Sequence, residues 1–582
     1  GGPLLVTDGL TFPSRIDLLG ICEGYLDWVV AAPLVSWAGP YAASNVASFL
    51  HYAMLAGGVF VLCRTLSGSA WAAATAAILL LLSPSVMHEF GEGRAVVGSL
   101  GLAALALSWS GRWVVSGRHR YLAGVLLALP VTMVGYLHAG PMLAMLLPCL
   151  AIGYVLRGRP AAGGSRAWLV RGGLLALVLA ALAFAALAFA RRHVADVGLP
   201  TFNPGLLRGS AYRSWYMQGI SGGLPLRDLV LPMPLARQAG SGAVLPLFAL
   251  IALAAPRSLR PTLPWWIGAG VLHFAAMGTT LSIHEGGGIV GSPYRYLPAV
   301  FPFLLRFYWP HRYLLVGDIC LAVLVAIGLV AVGRRWPRSR WRPAGVFSVG
   351  AVGLALAQAG WTWPFTPTDP DRMPDVVYRL AEDRPGAVLE ISAGANGPGA
   401  SWDRFHYDRF EAAIVHGAPM CCQELPVRLA PRSFDSVVYR TPVLAWMLEG
   451  KSTDAARTGD AVPIEAWGYT HLVLHGHGCT GAVRPLDDFG PDGRWLADLR
   501  DAGSADAPAS AAQAARGRHG PGGGGRRERG PERTCDLVVA MLADIYGPPI
   551  ASEPTGDGLV ALWSLPRTPL LPADEPRLWK DP

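Results

Sequence analysis

Between about residue 44 and residue 362 the chain is a succession of long apolar runs, separated by short segments in which charge reappears. One run, Leu174–Ala190, carries no charged residue at all. A helix satisfies its own backbone hydrogen bonds, so a single apolar segment can sit in lipid in that form. A span takes about 20 mostly apolar residues, because the hydrocarbon layer is about 30 Å thick and a helix rises about 1.5 Å per residue. Segments of that kind lie near 44–64, 70–87, 95–110, 121–137, 139–156, 168–190, 243–255, 263–282, 313–333 and 343–362, ten spans give or take one. The segment 243–255 is short and holds Pro246, while Pro130, Gly135, His138 and Pro141 divide 121–156 into two helices with a tight turn. The expected fold is an α-helical polytopic membrane protein.

Composition agrees with two solvents in one chain. Of 582 residues, 52% are hydrophobic and only 15% charged, against about 25% charged in ordinary soluble domains. Charge is sparse up to about residue 362 and ordinary after it. The formal net charge of +8 rests almost wholly on arginine, since Lys451 and Lys580 are the only lysines. These arginines sit in short clusters between apolar runs, where membrane topology accounts for them. No nucleic-acid motif is present, and nucleic acid is excluded as a partner.

Loops facing the cytoplasm are enriched in Lys and Arg. Alternate short loops carry Arg64; Arg112, Arg118 and Arg120; Arg157, Arg159 and Arg166; Arg257 and Arg260; and Arg334, Arg335, Arg338, Arg340 and Arg342. The loops between them hold acids, His, Gly and Pro as well as some Arg. That alternation places residues 1–43 and everything after 362 outside the cytoplasm, with 44–362 as the transmembrane bundle. The chain opens Gly1-Gly2-Pro3, and an external N-terminal segment implies a further span upstream of it. The expected location is a bacterial cytoplasmic membrane, crossed many times, with the bilayer itself as a partner.

Residues 363–582 have mixed α/β patterning and are expected to form an extracytoplasmic domain. Val388–Ile391, Leu472–Leu474 and Leu559–Leu565 read as strands. Segments near 371–383, 442–449 and 535–546 have helical spacing. The stretch 501–534 is rich in Ala, Gly, Arg and Pro and is expected to be a disordered loop. Cys421, Cys422, Cys479 and Cys535 fall in this domain, and both a disulfide and buried free thiols are open for them. Cys63, Cys149 and Cys320 sit in apolar spans as packing residues.

The residues able to carry chemistry lie on the predicted outer side. Asp8, in the first external loop and followed by the turn residue Gly9, is the preferred general base for an acceptor hydroxyl. Glu89 and Glu92, in His88–Arg94, stand three apart and could offer carboxylate oxygens to Mg²⁺ or Mn²⁺; the plainer reading is helix capping. Arg295 and Arg312 bound an aromatic-rich segment, Ser292–Arg312, suited to a lipid-linked phosphate or to an ordinary interfacial belt. Asp318 lies about five residues inside the ninth span. An acid at that depth is a functional hypothesis by default, with pairing to a nearby Arg as the alternative. His51 and His273 read as buried hydrogen-bonding residues rather than ligands.

The stretches TFPSRIDLLG, AGPYAASNVASFLHYAML, SPSVMHEFGEGR and FPFLLRFYWPHRYLLV, with FEAAIVHGAPM and GYTHLVLHG further on, resemble bacterial members of the GT-C superfamily of membrane glycosyltransferases. The resemblance implies a GT-C-like bundle and a polyprenyl-phosphate sugar as donor, with an unidentified acceptor on the outer face. It implies Asp8 as the first-loop acid, Glu89 or Glu92 as the second-loop acid and Arg312 as the phosphate-side arginine. It does not extend to an Asp-x-Asp motif in the first loop or to a WWDYG-type acceptor motif, which argues against N-glycosylation. The alternatives are a transporter or flippase for lipid-linked glycan, and a catalytically silent assembly factor of envelope polysaccharide synthesis. Transport calls for internal repeats and mid-span charges, and the sequence shows neither.

Overall fold

The computed structural model describes residues 6–7, 16–17, 25–91, 94–136, 138–156, 170–171, 173–174, 226, 229, 241–254, 259–278, 280–281, 290–292, 310–335, 343–362, 374–382, 386–393, 464–477, 531–555 and 558–566. The chain divides into two compact units. One comprises Cys22–Leu187 and Leu207–Pro367; the other comprises Gly1–Ile21, Ala188–Leu206 and Thr368–Pro582.

The first unit is a helical bundle. Its helices are α1 (Tyr25–Ser67), α2 (Ala70–Leu81), α3 (Pro84–Gly91), α4 (Leu100–Ser116), α5 (His119–Gly135), α6 (Ala139–Leu156), α7 (Val244–Ala249), α8 (Leu259–Ala276), α9 (Tyr313–Arg335) and α10 (Pro343–Thr362). Among the described residues, Ala42–Ser67, Ala95–Ser116 and Pro310–Arg335 are long and apolar enough to cross a membrane. The pair α2 and α3, bent by 53°, adds a fourth if it counts as one broken span.

That number, which covers the described residues alone, is well below the ten expected. The apolar helices at His119–Gly135, Val244–Leu253 and Gly345–Ala359 fall short of a full crossing. The run 243–255 in particular turns from α7 into a 3₁₀ segment at Leu250–Ala254. The run 121–156 is two helices, α5 and α6, parted where the prolines and Gly135 said it should be. The run 168–190 lies almost entirely outside the described residues.

At the N-terminal side the helix begins earlier than residue 44. It starts at Tyr25, with a break at Gly39, whose φ of 80° belongs to the left-handed region that favours glycine. Residues 25–43, read as external loop, are therefore helical.

At the centre stands α9, buried along Tyr313–Ala326 and apolar but for Asp318, as a helix surrounded by other helices tends to be. Backbones approach closely where α1 meets the start of α4. A Cβ on Gly58 would overlap the Gly101 carbonyl, and one on Gly101 would run into that of Met54. Small residues permit such approaches in membrane bundles. The outermost face of α10 has the opposite character: Ala351, Ala355 and Ala359 are buried while Val346, Val349, Leu354 and Leu356 are exposed. Small residues point inward and large apolar ones outward, so this surface needs an apolar surrounding.

The second unit holds a mixed sheet of β5 (Ala387–Ala393), β6 (Tyr469–His477), β7 (Ala551–Thr555) and β8 (Gly558–Ser564), with α11 (Asp375–Glu382) and α12 (Pro531–Tyr546). The order is β5-β6-β8-β7; β5 runs parallel to β6 and the other pairs are antiparallel. Successive residues Leu472, Val473 and Leu474 are all buried, so both faces of β6 are covered. Val376, Val377 and Leu380 of α11 pack on Val388, Val473, Val560 and Leu562. The carboxylate of Glu553, from β7, accepts a hydrogen bond from the Val376 amide at 3.3 Å, capping the start of α11 from outside. Trp563 is buried, and its Nε1 donates to the Gly547 carbonyl at 3.0 Å. The strands read at 388–391, 472–474 and 559–565 are each present, and β7 is an addition. The helix expected at 442–449 and residues 501–530 of the Ala/Gly/Arg-rich stretch lie outside the described residues. Two short hairpins complete the described strands: β1 (Val6–Thr7) with β2 (Ile16–Asp17), and β3 (Thr280–Leu281) with β4 (Val290–Gly291).

Candidate functional site

The break between α2 and α3 sets the site. Pro84 has no N–H to continue α2, but its fixed φ suits the first position of a new helix. Ser83 covers the junction: its Oγ donates to the Leu80 carbonyl at 2.7 Å, and its carbonyl accepts from Met87 N at 3.0 Å. From α1, Tyr52 donates to the Leu81 carbonyl at 2.8 Å, satisfying a group that the break leaves without a helical partner. Its ring meets Phe90 edge-on with centroids 4.9 Å apart. The short helix α3 is thereby held, and it carries Ser85 near one end and Glu89 one turn further on.

Glu89 is 2% exposed, and cationic groups from two directions surround it. Arg94 Nη1 donates to Oε1 at 3.1 Å. His311 Nε2 lies 3.5 Å from Oε1, and Arg312 Nε lies 3.6 Å from Oε2. Arg312 is itself buried, with Nη1 3.2 Å from His138 Nε2, and the His138 ring stacks on Tyr136 at 5.4 Å. The main chain repeats the tie, since Arg94 N donates to the Glu89 carbonyl at 2.8 Å. A buried carboxylate is tolerable only when paired. Glu89 meets that requirement with one hydrogen bond from Arg94 and an ion-pair approach to Arg312.

A second polar group lies along α9. Asp318 is fully buried and accepts a 2.5 Å hydrogen bond from Ser85 at Oδ2. Its Oδ1 stands 3.4 Å from His273 Nε2. Ser83 and Ser85 hydroxyls are 3.1 Å apart, and Ser241 Oγ is 2.9 Å from His273 Nε2. His273 Nδ1 faces the Ala269 carbonyl at 2.8 Å. The pairing of Asp318 with a neighbouring Arg does not occur; its partners are a histidine from α8 and a serine from α3. His273 does hydrogen-bond within the bundle, though it is half-buried rather than buried, and it also pairs with an acid there. No local pattern in the sequence marks such a pair.

Of the site residues read from sequence, Glu89 and Arg312 are brought together. Asp8, Glu92 and Arg295 lie outside the described residues. Arg94, His138 and His311 were passed over as active groups. Their signal was faint: Arg94 and His311 adjoin the two chosen motifs, and His138 sits in the turn between α5 and α6. Among the described residues no group of three or more His, Cys, Asp or Glu is placed to hold a metal ion. Glu89 turns both its oxygens toward cations, which is unlike the open carboxylate that a hard divalent ion takes.

The class that these features define is a helical bundle with helices able to cross a membrane, joined to a mixed α/β unit and holding a buried arginine–carboxylate cluster. No family model matches the chain, and no curated protein matches it.

Proposed function

We propose that the protein is a membrane glycosyltransferase of the GT-C type, moving a sugar from a polyprenyl-phosphate donor to an acceptor hydroxyl at the outer face of a bacterial cytoplasmic membrane. The observation that supports it is the convergence of Arg94, His138, His311 and Arg312 about Glu89. A guanidinium fork matches the geometry of a phosphate. Displacing the sugar leaves charge on the departing phosphate, and fixed cations aimed at such charge are a large catalytic contribution.

In this reading Arg312 and Arg295 hold the lipid phosphate, Arg94 and Glu89 position Arg312, and Asp8 takes the acceptor proton. The acceptor oxygen attacks the anomeric carbon, the bond to the phosphate breaks, and the configuration inverts. A divalent ion at Glu89 or Glu92 is an optional part, which would require Glu89 to turn away from an arginine. A second reading, a transporter or flippase for lipid-linked glycan, draws on the buried Asp318–His273 pair.

The test is transfer by the purified protein with a panel of polyprenyl-phosphate sugars. Arg312→Ala and Asp8→Asn should each reduce transfer by at least about a hundredfold, the scale of losing one charge-stabilising donor. Arg312→Lys should keep a fraction of it. Unchanged transfer in both Arg312→Ala and Asp8→Asn sinks the enzyme reading. Glycan translocation in proteoliposomes without transfer would favour the second.

A further inference from the structure

The chain Ser83, Ser85, Asp318, His273, Ser241 links α3, α9, α8 and the segment before α7 through polar contacts beside the apolar core. Its hydrogens can be assigned one by one. The Ala269 carbonyl can only accept, so His273 Nδ1 carries a hydrogen and donates to it at 2.8 Å. The other ring nitrogen, Nε2, then decides the charge. If Nε2 bears no hydrogen, it accepts from Ser241 and its lone pair also faces Asp318 Oδ1 at 3.4 Å. A carboxylate there would be a fully buried anion with no opposite charge, which is prohibitive in a low dielectric. Asp318 must then hold a proton itself. If Nε2 does bear a hydrogen, the ring is an imidazolium and Asp318 is its counter-ion. Either way the pair contains one proton beyond the one on Nδ1.

We infer that Asp318 and His273 form a single proton-binding site inside the bundle, holding one exchangeable proton between Oδ1 and Nε2. Transfer within the site breaks the Nε2–H bond and forms the Oδ1–H bond, and both charges vanish together. The site needs no outside reagent to do this. Removing the proton leaves a fully buried anion at Asp318, and adding another leaves a cation at His273, whose side chain is 19% exposed.

Nothing else contests the pair. Ser85 supplies a hydroxyl from α3, and the buried thiol of Cys320 is near on α9 itself. Of the other titratable groups on elements against α9, Glu89 is engaged with Arg94, His311 and Arg312. On α1 the Tyr52 hydroxyl is given to the Leu81 carbonyl, and on α6 the Cys149 thiol is given to the Met145 carbonyl. Among the described residues the partners of Asp318 are Ser85 and His273, and not His51 or Cys63 on α1 or His88 on α3.

Because Ser85 and Glu89 share α3 one turn apart, the charge on Asp318 also sets how firmly α3 is held to α9. The site exists whether or not the bundle transfers a sugar. Its ligand is a proton, and the chemistry it fits is a proton-coupled step.

Infrared difference spectroscopy on the reconstituted protein, titrated in pH, tests this. Bands lost in Asp318→Asn identify the Asp318 carboxyl, and bands lost in His273→Gln identify the ring. In the wild type both sets should change in one joint step. In His273→Gln the Asp318 bands should follow a pH course different from that of the wild type. Ser241→Ala keeps both partners and should shift the joint step without splitting it, which decides the matter if His273→Gln does not fold. Separate steps for the two groups, or an Asp318 signal identical in His273→Gln and wild type at every pH, overturn the proposal.

Discussion

At the scale of single residues, the buried polar groups are held by partners far away in sequence. Glu89 meets Arg312 across more than two hundred positions, and Ser85 meets Asp318 over a separation of 233. The second unit has a buried polar residue of its own in Tyr469, which is 2% exposed at the start of β6. Burial pushes its hydroxyl above the usual tyrosine range. The sign follows directly. Below the unfolded value, about 10, the phenol is neutral in both states. Above it the unfolded chain ionises while the folded one does not, so stability falls as pH rises by up to about 1.4 kcal/mol per unit. Denaturant unfolding of the intact protein, followed by Trp fluorescence between neutral and strongly alkaline pH, should show that slope. Tyr469→Phe should flatten it; an equal slope in both would remove Tyr469 as its source.

Elements owe their shapes to a few residues each. Pro84 and Ser83 bend the apolar run of 70–91 into two helices, and Gly39 breaks α1. The contact between Gly58 and Gly101 lets two backbones touch, where any side chain would hold them apart. On α10 the division of alanines inside and valines and leucines outside gives a sharp test of the surrounding medium. Val349 is 76% exposed. If that face meets hydrocarbon, Val349→Arg should cost about 2.5–3.5 kcal/mol of apparent insertion free energy at the helix centre, and less toward an end. A glycosylation-based insertion assay reads this directly. In water the same change would be neutral to within about 0.5 kcal/mol, and that result would mean that α10 does not face lipid. The sheet strands were visible in sequence because Val, Leu and Ile recur in short runs between turn residues. The early start of α1 was not, because Pro33, Gly39 and Pro40 imitate a loop, and only packing against neighbouring helices overrides them.

For the whole molecule, arginine placement makes an orientation testable. Ser116, before the cluster Arg118 and Arg120, and Ser552, on β7, are both exposed. With Cys22 and the native cysteines of residues 363–582 replaced, a thiol reagent that cannot cross the membrane should label Ser552→Cys in intact cells. It should label Ser116→Cys only after the cells are opened, and the reverse pattern would invert the topology. What the sequence determined alone was apolar patterning, the places where prolines and glycines divide it, and the strands of the second unit. These are local properties, set by each residue's own solvation and backbone freedom. Which run is long enough to cross, and that a polar chain runs from Ser83 to Ser241, were decided only by tertiary structure. So was the Glu89–Arg312 pairing. A buried charge must find its partner, and the partner is chosen by how helices pack, a relation that no local window of sequence contains.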